Sequence, residues 1–237
     1  MRPTAYRHLL KFSAALFLLA AFLISPVLPG AEAKIIYVTQ EGTGNKFGDS
    51  WDNSYDATRF VNSLNNDQSI TAGDEYRVAK GKYSPISTNF VIDRANSFKL
   101  KKGVKLYGGF AGPGAADPNY RNLTTYETIL TGEMDGGVRS YHVVNASDTD
   151  DAALLDGFTI TGGAAIGGDV DNNGGGLYAN DGNALIRYCT FRDNSAANLG
   201  AGAYLNLGSN EECTFTGNSA TVSGAGVSYI VVIDPTP

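Results

Sequence analysis

Apolar and polar residues alternate in short runs along the C-terminal third of the chain, and the runs recur. Cys189-Thr190-Phe191-Arg192-Asp193-Asn194-Ser195-Ala196 returns at a constant offset as Cys213-Thr214-Phe215-Thr216-Gly217-Asn218-Ser219-Ala220, and Gly200-Ala201-Gly202 returns at the same offset as Gly224-Ala225-Gly226. In each copy one Thr separates Cys from Phe, so Cys and Phe share one side of an extended chain and Thr faces the other. Period-two alternation predicts strand. A unit this short, broken by Gly and Asn, cannot bury its own inner face and must stack on its neighbours. The expected fold is all-β, a right-handed parallel β-helix.

An earlier copy, Phe158-Thr159-Ile160-Thr161-Gly162-Gly163, can be laid on Cys189–Asn194 at a somewhat longer offset. The added length falls in Gly-, Asp- and Asn-rich stretches that read as loops. The predicted inward ladders are Phe158/Cys189/Cys213 and Ile160/Phe191/Phe215, with Asn194 and Asn218 stacked at the following turn. Thr159, Thr190 and Thr214 then point outward, with Thr161, Arg192 and Thr216 two positions on. Leu106, Leu130 and Leu154, spaced like the two Cys copies, hint that coiling begins earlier.

Upstream, strands are expected at Lys34–Val38, Glu75–Ala79, Phe98–Leu100, Val104–Tyr107, Glu127–Leu130, Tyr141–Asn145 and Leu154–Thr161. Ala57, Phe60, Val61 and Leu64 instead recur at helical spacing behind Ser54 or Asp56, either of which can cap a helix N-terminus. A short helix here would cover the open end of the first coil, whose unpaired strand edges would otherwise template aggregation. At the other end Gly226–Ile230 begins one more coil, and Val231–Pro235 stops without a recognisable cap. The β-helix domain, residues 34–237, is therefore expected to be C-terminally incomplete, with an anchor or sorting domain missing.

The leader, Met1–Ala33, reads as a signal peptide. Arg2, Arg7 and Lys11 precede the apolar run Phe12–Ile24, and Ala31-Glu32-Ala33 is a small-x-small cleavage pattern. The run is too short to favour a membrane anchor, and no transmembrane segment remains in the mature chain. Localisation is expected to be extracellular or on the cell outer membrane surface. The full chain has 18 basic and 24 acidic residues, a net charge of −6; removing the leader leaves 15 against 23, or −8. An acidic surface argues against nucleic acid as a partner. With 29 glycines and 43% hydrophobic residues, the chain is nonetheless apolar enough to build a core.

The repeated phrases carry a family resemblance. Gly174-Gly175-Gly176-Leu177-Tyr178, Gly200-Ala201-Gly202-Ala203-Tyr204 and the two Phe-x-x-Asn copies, Phe191/Asn194 and Phe215/Asn218, resemble the repeats of the polymorphic outer membrane proteins of the chlamydial type. Lys105–Gly112, Glu127–Gly132 and Leu155–Gly163 resemble exported bacterial right-handed β-helix proteins that carry such repeats. The resemblance implies a pectate-lyase-like solenoid displayed at the cell surface and associated with adhesion.

That fold also hosts polysaccharide lyases and glycoside hydrolases, so catalysis has to be argued from a site. A hydrolase needs two carboxylates across the scissile bond, and no such pair stands out. His142, in a strand flanked by Tyr and Val, reads as a surface residue or a satisfied hydrogen-bonding group. Lys101, Lys102 and Lys105 read as a solvated basic patch, and Asp148, Asp150 and Asp151 as a loop. Asp169-Val170-Asp171-Asn172-Asn173-Gly174 matches half of a calcium loop, making Asp169, Asp171 and Asn173 the candidate ligands. Position twelve is Asn180 rather than Glu, which excludes a helix-loop-helix calcium site and favours an ordinary turn; Glu133 and Asp135 invite the same reading. Apart from calcium, no cofactor is indicated. Cys189 and Cys213 are read as an inward thiol ladder, with a disulfide as the alternative because parallel side-chain vectors make its geometry awkward. The outward Thr rows suit ice binding poorly, since Arg192 interrupts them. The function expected is adhesion, or binding of polysaccharide or a host surface; the alternative is a lyase or hydrolase.

Overall fold

The computed structural model describes residues 32–86 and 92–229. The leader, apart from Glu32 and Ala33, and the segment from Ile230 onward lie outside the described residues. Among the described residues there are short strands in parallel sheets and one α-helix, and no helix is long and apolar enough to cross a membrane. The architecture is all-β and compatible with a parallel solenoid.

Four sheets collect the strands. Sheet I contains Ile35–Val38, Glu75–Ala79, Lys105–Phe110, Leu154–Asp156, Leu185–Arg187 and Ser209–Glu211, each paired in parallel with the next. Sheet II contains Gly81–Tyr83, Thr128–Thr131, Thr159–Thr161, Thr190–Arg192 and Thr214–Thr216. Sheet III is short, with Ala164–Ala165, Ser195–Ala196 and Ser219–Ala220. Sheet IV holds Phe98–Lys99, Val144–Asn145, Leu177–Ala179, Ala203–Leu205 and Val227–Tyr229. From Leu154 onward the chain visits I, II, III and IV in turn and then begins again, so parallel pairing follows from the circuit itself.

The register bears out the inward ladders. Ile160 pairs with Phe191 and Phe191 with Phe215; upstream the row continues through Leu130 and Tyr83. The Phe191 and Phe215 rings stack at 4.9 Å and 6°. Asn194 accepts from Gly163 N (2.9 Å) and donates to Ile160 O (3.0 Å); one circuit on, Asn218 accepts from Asn194 N (3.1 Å) and donates to Phe191 O (2.9 Å). Each Asn thus satisfies backbone groups that the turn takes out of the ladder.

The same packing explains the Gly-x-Gly phrase. Its first member sits in the left-handed region, φ 66°, 60° and 65° at Gly174, Gly200 and Gly224, which costs Gly little. At its last member the Phe and Asn of a circuit occupy the space a Cβ would need: one added at Gly202 would overlap the Gly226 carbonyl and stand 2.7 Å from the Phe215 ring. Phe-x-x-Asn and Gly-x-Gly are therefore one packing unit read at two places in the sequence.

The helix, Ala57–Asn66, is capped by Asp56, whose carboxylate accepts from Arg59 N at 2.7 Å. It buries Phe60, Val61, Ser63 and Leu64. The Phe60 ring meets Tyr76 of sheet I at 5.5 Å, Tyr83 of sheet II at 6.1 Å and Phe98 of sheet IV at 5.6 Å, closing the N-terminal end of the core.

Two expectations need correction. Leu154–Thr161 is not one strand: Gly157 turns the chain at φ 77°, placing Leu154–Asp156 in sheet I and Thr159–Thr161 in sheet II. Leu106, Leu130 and Leu154 do not stack. Leu106 pairs with Leu155, Leu154 pairs with Lys105, and Leu130 belongs to sheet II. Unequal loops between circuits make the constant spacing coincidental there.

Candidate functional site

Because side chains alternate, sheet I shows one outward row that reads Tyr37, Arg77, Tyr107, Asp156, Arg187, Glu211 across successive strands. Asp156 is the centre of this row and has no exposed side-chain surface. Arg121 Nη2 donates to its Oδ1, while Arg187 reaches its Oδ2 through Nε at 2.7 Å and Nη2 at 2.6 Å. A buried carboxylate costs several kcal/mol in lost hydration, and two guanidinium forks are what offset it. The hydrogen bond to Asp156, together with its charge, also holds Arg187 above its ordinary value, and burial pushes the Tyr107 phenol up.

Arg121 comes from the irregular segment after the third strand of sheet I. Its Nε donates to Gly108 O at 2.6 Å, and its guanidinium lies 5.4 Å from the centre of the Tyr107 ring. Gly157 leaves room for it; a Cβ there would overlap Arg121 Nη2. At the N-terminal end of the row, Trp51 packs on Tyr37 at 4.9 Å and on Phe110 at 5.9 Å. Asn119 accepts there from Trp51 Nε1 (3.1 Å) and Arg77 Nη1 (3.2 Å), and Arg77 Nε pairs with Glu75 at 2.7 Å. The face is a strip of planar cations interleaved with aromatic rings.

The corner beyond this row is strained. Gly157, Tyr188 and Glu212 occupy the same place in successive circuits, and all have positive φ: 77°, 52° and 47°. Tyr188, 42% exposed, holds its ring 5.3 Å from the Arg187 guanidinium. A bulky side chain in this region is an outlier.

The residues singled out from the sequence are dispersed. His142 is buried, with Nδ1 3.0 Å from Gly174 O, Nε2 3.4 Å from Asp171 Oδ1, and its ring stacked on Tyr178 at 4.7 Å; burial pulls its pKa down. It is a satisfied hydrogen-bonding group. Of the calcium candidates, Asp171 faces that histidine, Asn173 Oδ1 accepts from Asn198 Nδ2 (2.9 Å) and Leu199 N (3.1 Å), and Asp169 opens a short 3-10 turn. Among the described residues no three His, Cys, Asp or Glu side chains are gathered closely enough to hold a metal ion. Lys101 and Lys102 line a hollow of about 410 Å³ with Lys99, whereas Lys105 stands on sheet I, so the basic patch is split. Glu133 is paired with Lys82 at 2.7 Å, which holds its carboxyl down, and Asp135 lies in a neighbouring turn. Asp150 accepts from Gly103 N at 2.7 Å, a turn contact. Thr159, Thr190 and Thr214 form the outward row of sheet II, and Arg192 lies between Thr161 and Thr216 as read.

Cys189 and Cys213 are free thiols on adjacent circuits. Burial pushes the Cys189 thiol well up, while the hydrogen bond from that thiol lowers Cys213.

A cavity of about 550 Å³ lies along the outer face of the helix and is lined by Tyr55, Asp56, Arg59 and Asn66 among others. Its charges are largely engaged with each other: Lys46 pairs with Asp56 at 2.8 Å, and Arg59 lies 4.8 Å over the Tyr55 ring. The sheet I strip, by contrast, carries Arg121 and Arg187 on a single carboxylate, Asp156. None of Asp156, Arg187 and Arg121 was singled out from the sequence; carrying the alignment of Phe158 on Cys189 two residues back would have placed Asp156 on Arg187, but Arg121 carries no periodic signal.

No family model, curated protein or solved structure matches the chain.

Proposed function

We propose that this chain is a right-handed parallel β-helix, exported and displayed at the cell surface, and that it acts as an adhesion module binding polysaccharide or another cell-surface ligand. The resemblance of its repeats to those of polymorphic outer membrane proteins agrees with this reading. The observation that carries it is the outward row of sheet I. Arg77, Tyr107 and Arg187 recur at strand spacing, which suits an extended ligand laid across the strands. The carboxylates beside them are committed, Glu75 to Arg77 and Asp156 to two arginines, so neither is poised to pass a proton. Calcium at Asp169, Asp171 and Asn173 would be an accessory to this reading.

The test is to incubate the chain from Lys34 onward with pectin, alginate, chondroitin and xylan, following both retention and cleavage. Binding without new reducing ends or unsaturated-uronate absorbance is expected. Cleavage that a single Lys, Arg or Asp substitution abolishes would establish the lyase or hydrolase instead.

A further inference from the structure

Resting on that reading, we propose that what the site recognises is negative charge: a carboxylate or sulfate carried by the glycan, seated at the corner made by Arg121, Arg187 and Tyr188. Two guanidinium groups share one carboxylate at Asp156, leaving a surplus positive charge. Their Nε and Nη2 atoms are used, while Nη1 of each has no hydrogen-bond partner among the described residues. Both side chains keep an open edge, 28% exposed for Arg121 and 33% for Arg187. Asp156 fixes both planes in advance, so an incoming anion need not order them.

Tyr188 is the second, independent observation. The corner it occupies is served by Gly157 one circuit earlier, and a glycine would adopt φ 52° without strain. The chain instead holds an exposed aromatic ring there, beside Arg187. Strain kept at an exposed position, next to preorganised cations, marks a ligand platform. Glu211 and Glu212, both exposed and next in register to Arg187 and Tyr188, repel an anion on that side, so the charged group lies toward Tyr107 and Arg121.

The experiment measures binding of labelled alginate (carboxylate), dextran sulfate (sulfate) and dextran (neutral) in low and high salt. At least one acidic polymer is expected to bind about tenfold more tightly than dextran and to weaken as salt is raised. Tyr188→Gly is expected to weaken that binding about tenfold while leaving the unfolding midpoint unchanged or higher. Arg187→Gln is expected to do the same to binding, with only partial rescue by Arg187→Lys, which restores charge without the planar fork. Which acidic polymer binds separates carboxylate from sulfate. Equal binding of dextran overturns the charge assignment and leaves the glycan reading standing. Acidic binding that neither variant touches places the ligand elsewhere and overturns the corner. Failure to bind any of the three removes both.

Discussion

The circuit that begins at Cys189 and the one that begins at Cys213 share most of their sequence and differ in what surrounds them. Phe191, Cys189 and Asn194 are 0%, 1% and 1% exposed, yet Phe215, Cys213 and Asn218, in register beside them, are only half-buried. The earlier circuit has a neighbour on each side; the later one has a neighbour among the described residues on one side only. At the N-terminal end the helix fills the corresponding place with Phe60, and the strands beneath it are buried. In a stacked repeat the energy of a residue is thus a property of the interface it completes.

Truncating the two rings should give the largest difference between the circuits. Phe191→Ala is expected to cost about 3–5 kcal/mol, because it leaves a cavity walled on both sides. Phe215→Ala is expected to cost only about 1–2 kcal/mol, since part of that ring is already in water. Denaturant unfolding of the two variants measures the difference. Equal losses would mean that the last circuit is as enclosed as its neighbour.

A smaller effect sharpens the same contrast at the glycines. A Cβ at Gly202 would overlap backbone, whereas at Gly226 the nearest atom is Phe215 Cβ at 3.3 Å. Gly202→Ala should therefore destabilise by about 1–3 kcal/mol as an overpacked site, and Gly226→Ala by less than about 0.5 kcal/mol. Thermal unfolding of the pair checks this. A Gly226→Ala loss as large as that of Gly202→Ala would imply a further layer packed against it.

How much could be read beforehand follows from where periodicity survives. The Cys, Phe and Asn rows were legible because one constant interval separates two copies whose residues pair in register on neighbouring strands. The break at Gly157 is missed although Asp156-Gly157 is a turn dipeptide, because the apolar residues on both sides of it, Leu154, Leu155, Phe158 and Ile160, read as one strand. The Leu106–Leu130–Leu154 spacing misled for a related reason: the intervening loops differ in length, and Leu154 faces outward. At the candidate site, Asp156 and Arg187 sit on aligned strands and leave a trace in the sequence. Arg121 reaches them from an irregular segment, and no pattern announces a contact between positions so far apart in the chain. The Gly-x-Gly phrase was recognisable as a motif, but its cause, a Phe ring and an Asn amide lying where a Cβ would be, belongs to the packing.

The same contrast extends to the reactivity of the two thiols. Cys189 is 1% exposed and its thiol is held well above the usual range by burial, so the nucleophilic thiolate is scarce and shielded. Cys213 is half-buried, and the hydrogen bond from the Cys189 thiol favours its thiolate, placing its pKa below the ordinary value. Iodoacetamide applied to the native reduced protein should therefore label Cys213 first, at a rate that rises with pH through a range below that of a free thiol. Cys189 should be labelled only after denaturant opens the circuit. Peptide mass mapping distinguishes the two sites. Simultaneous labelling at one rate would show that the shielding of Cys189 is transient and that the two circuits open together. Cys213 packs on the core while remaining partly exposed, so its alkylation should destabilise the protein by about 0.5–2 kcal/mol. The same modification at Cys189 would have no space to occupy.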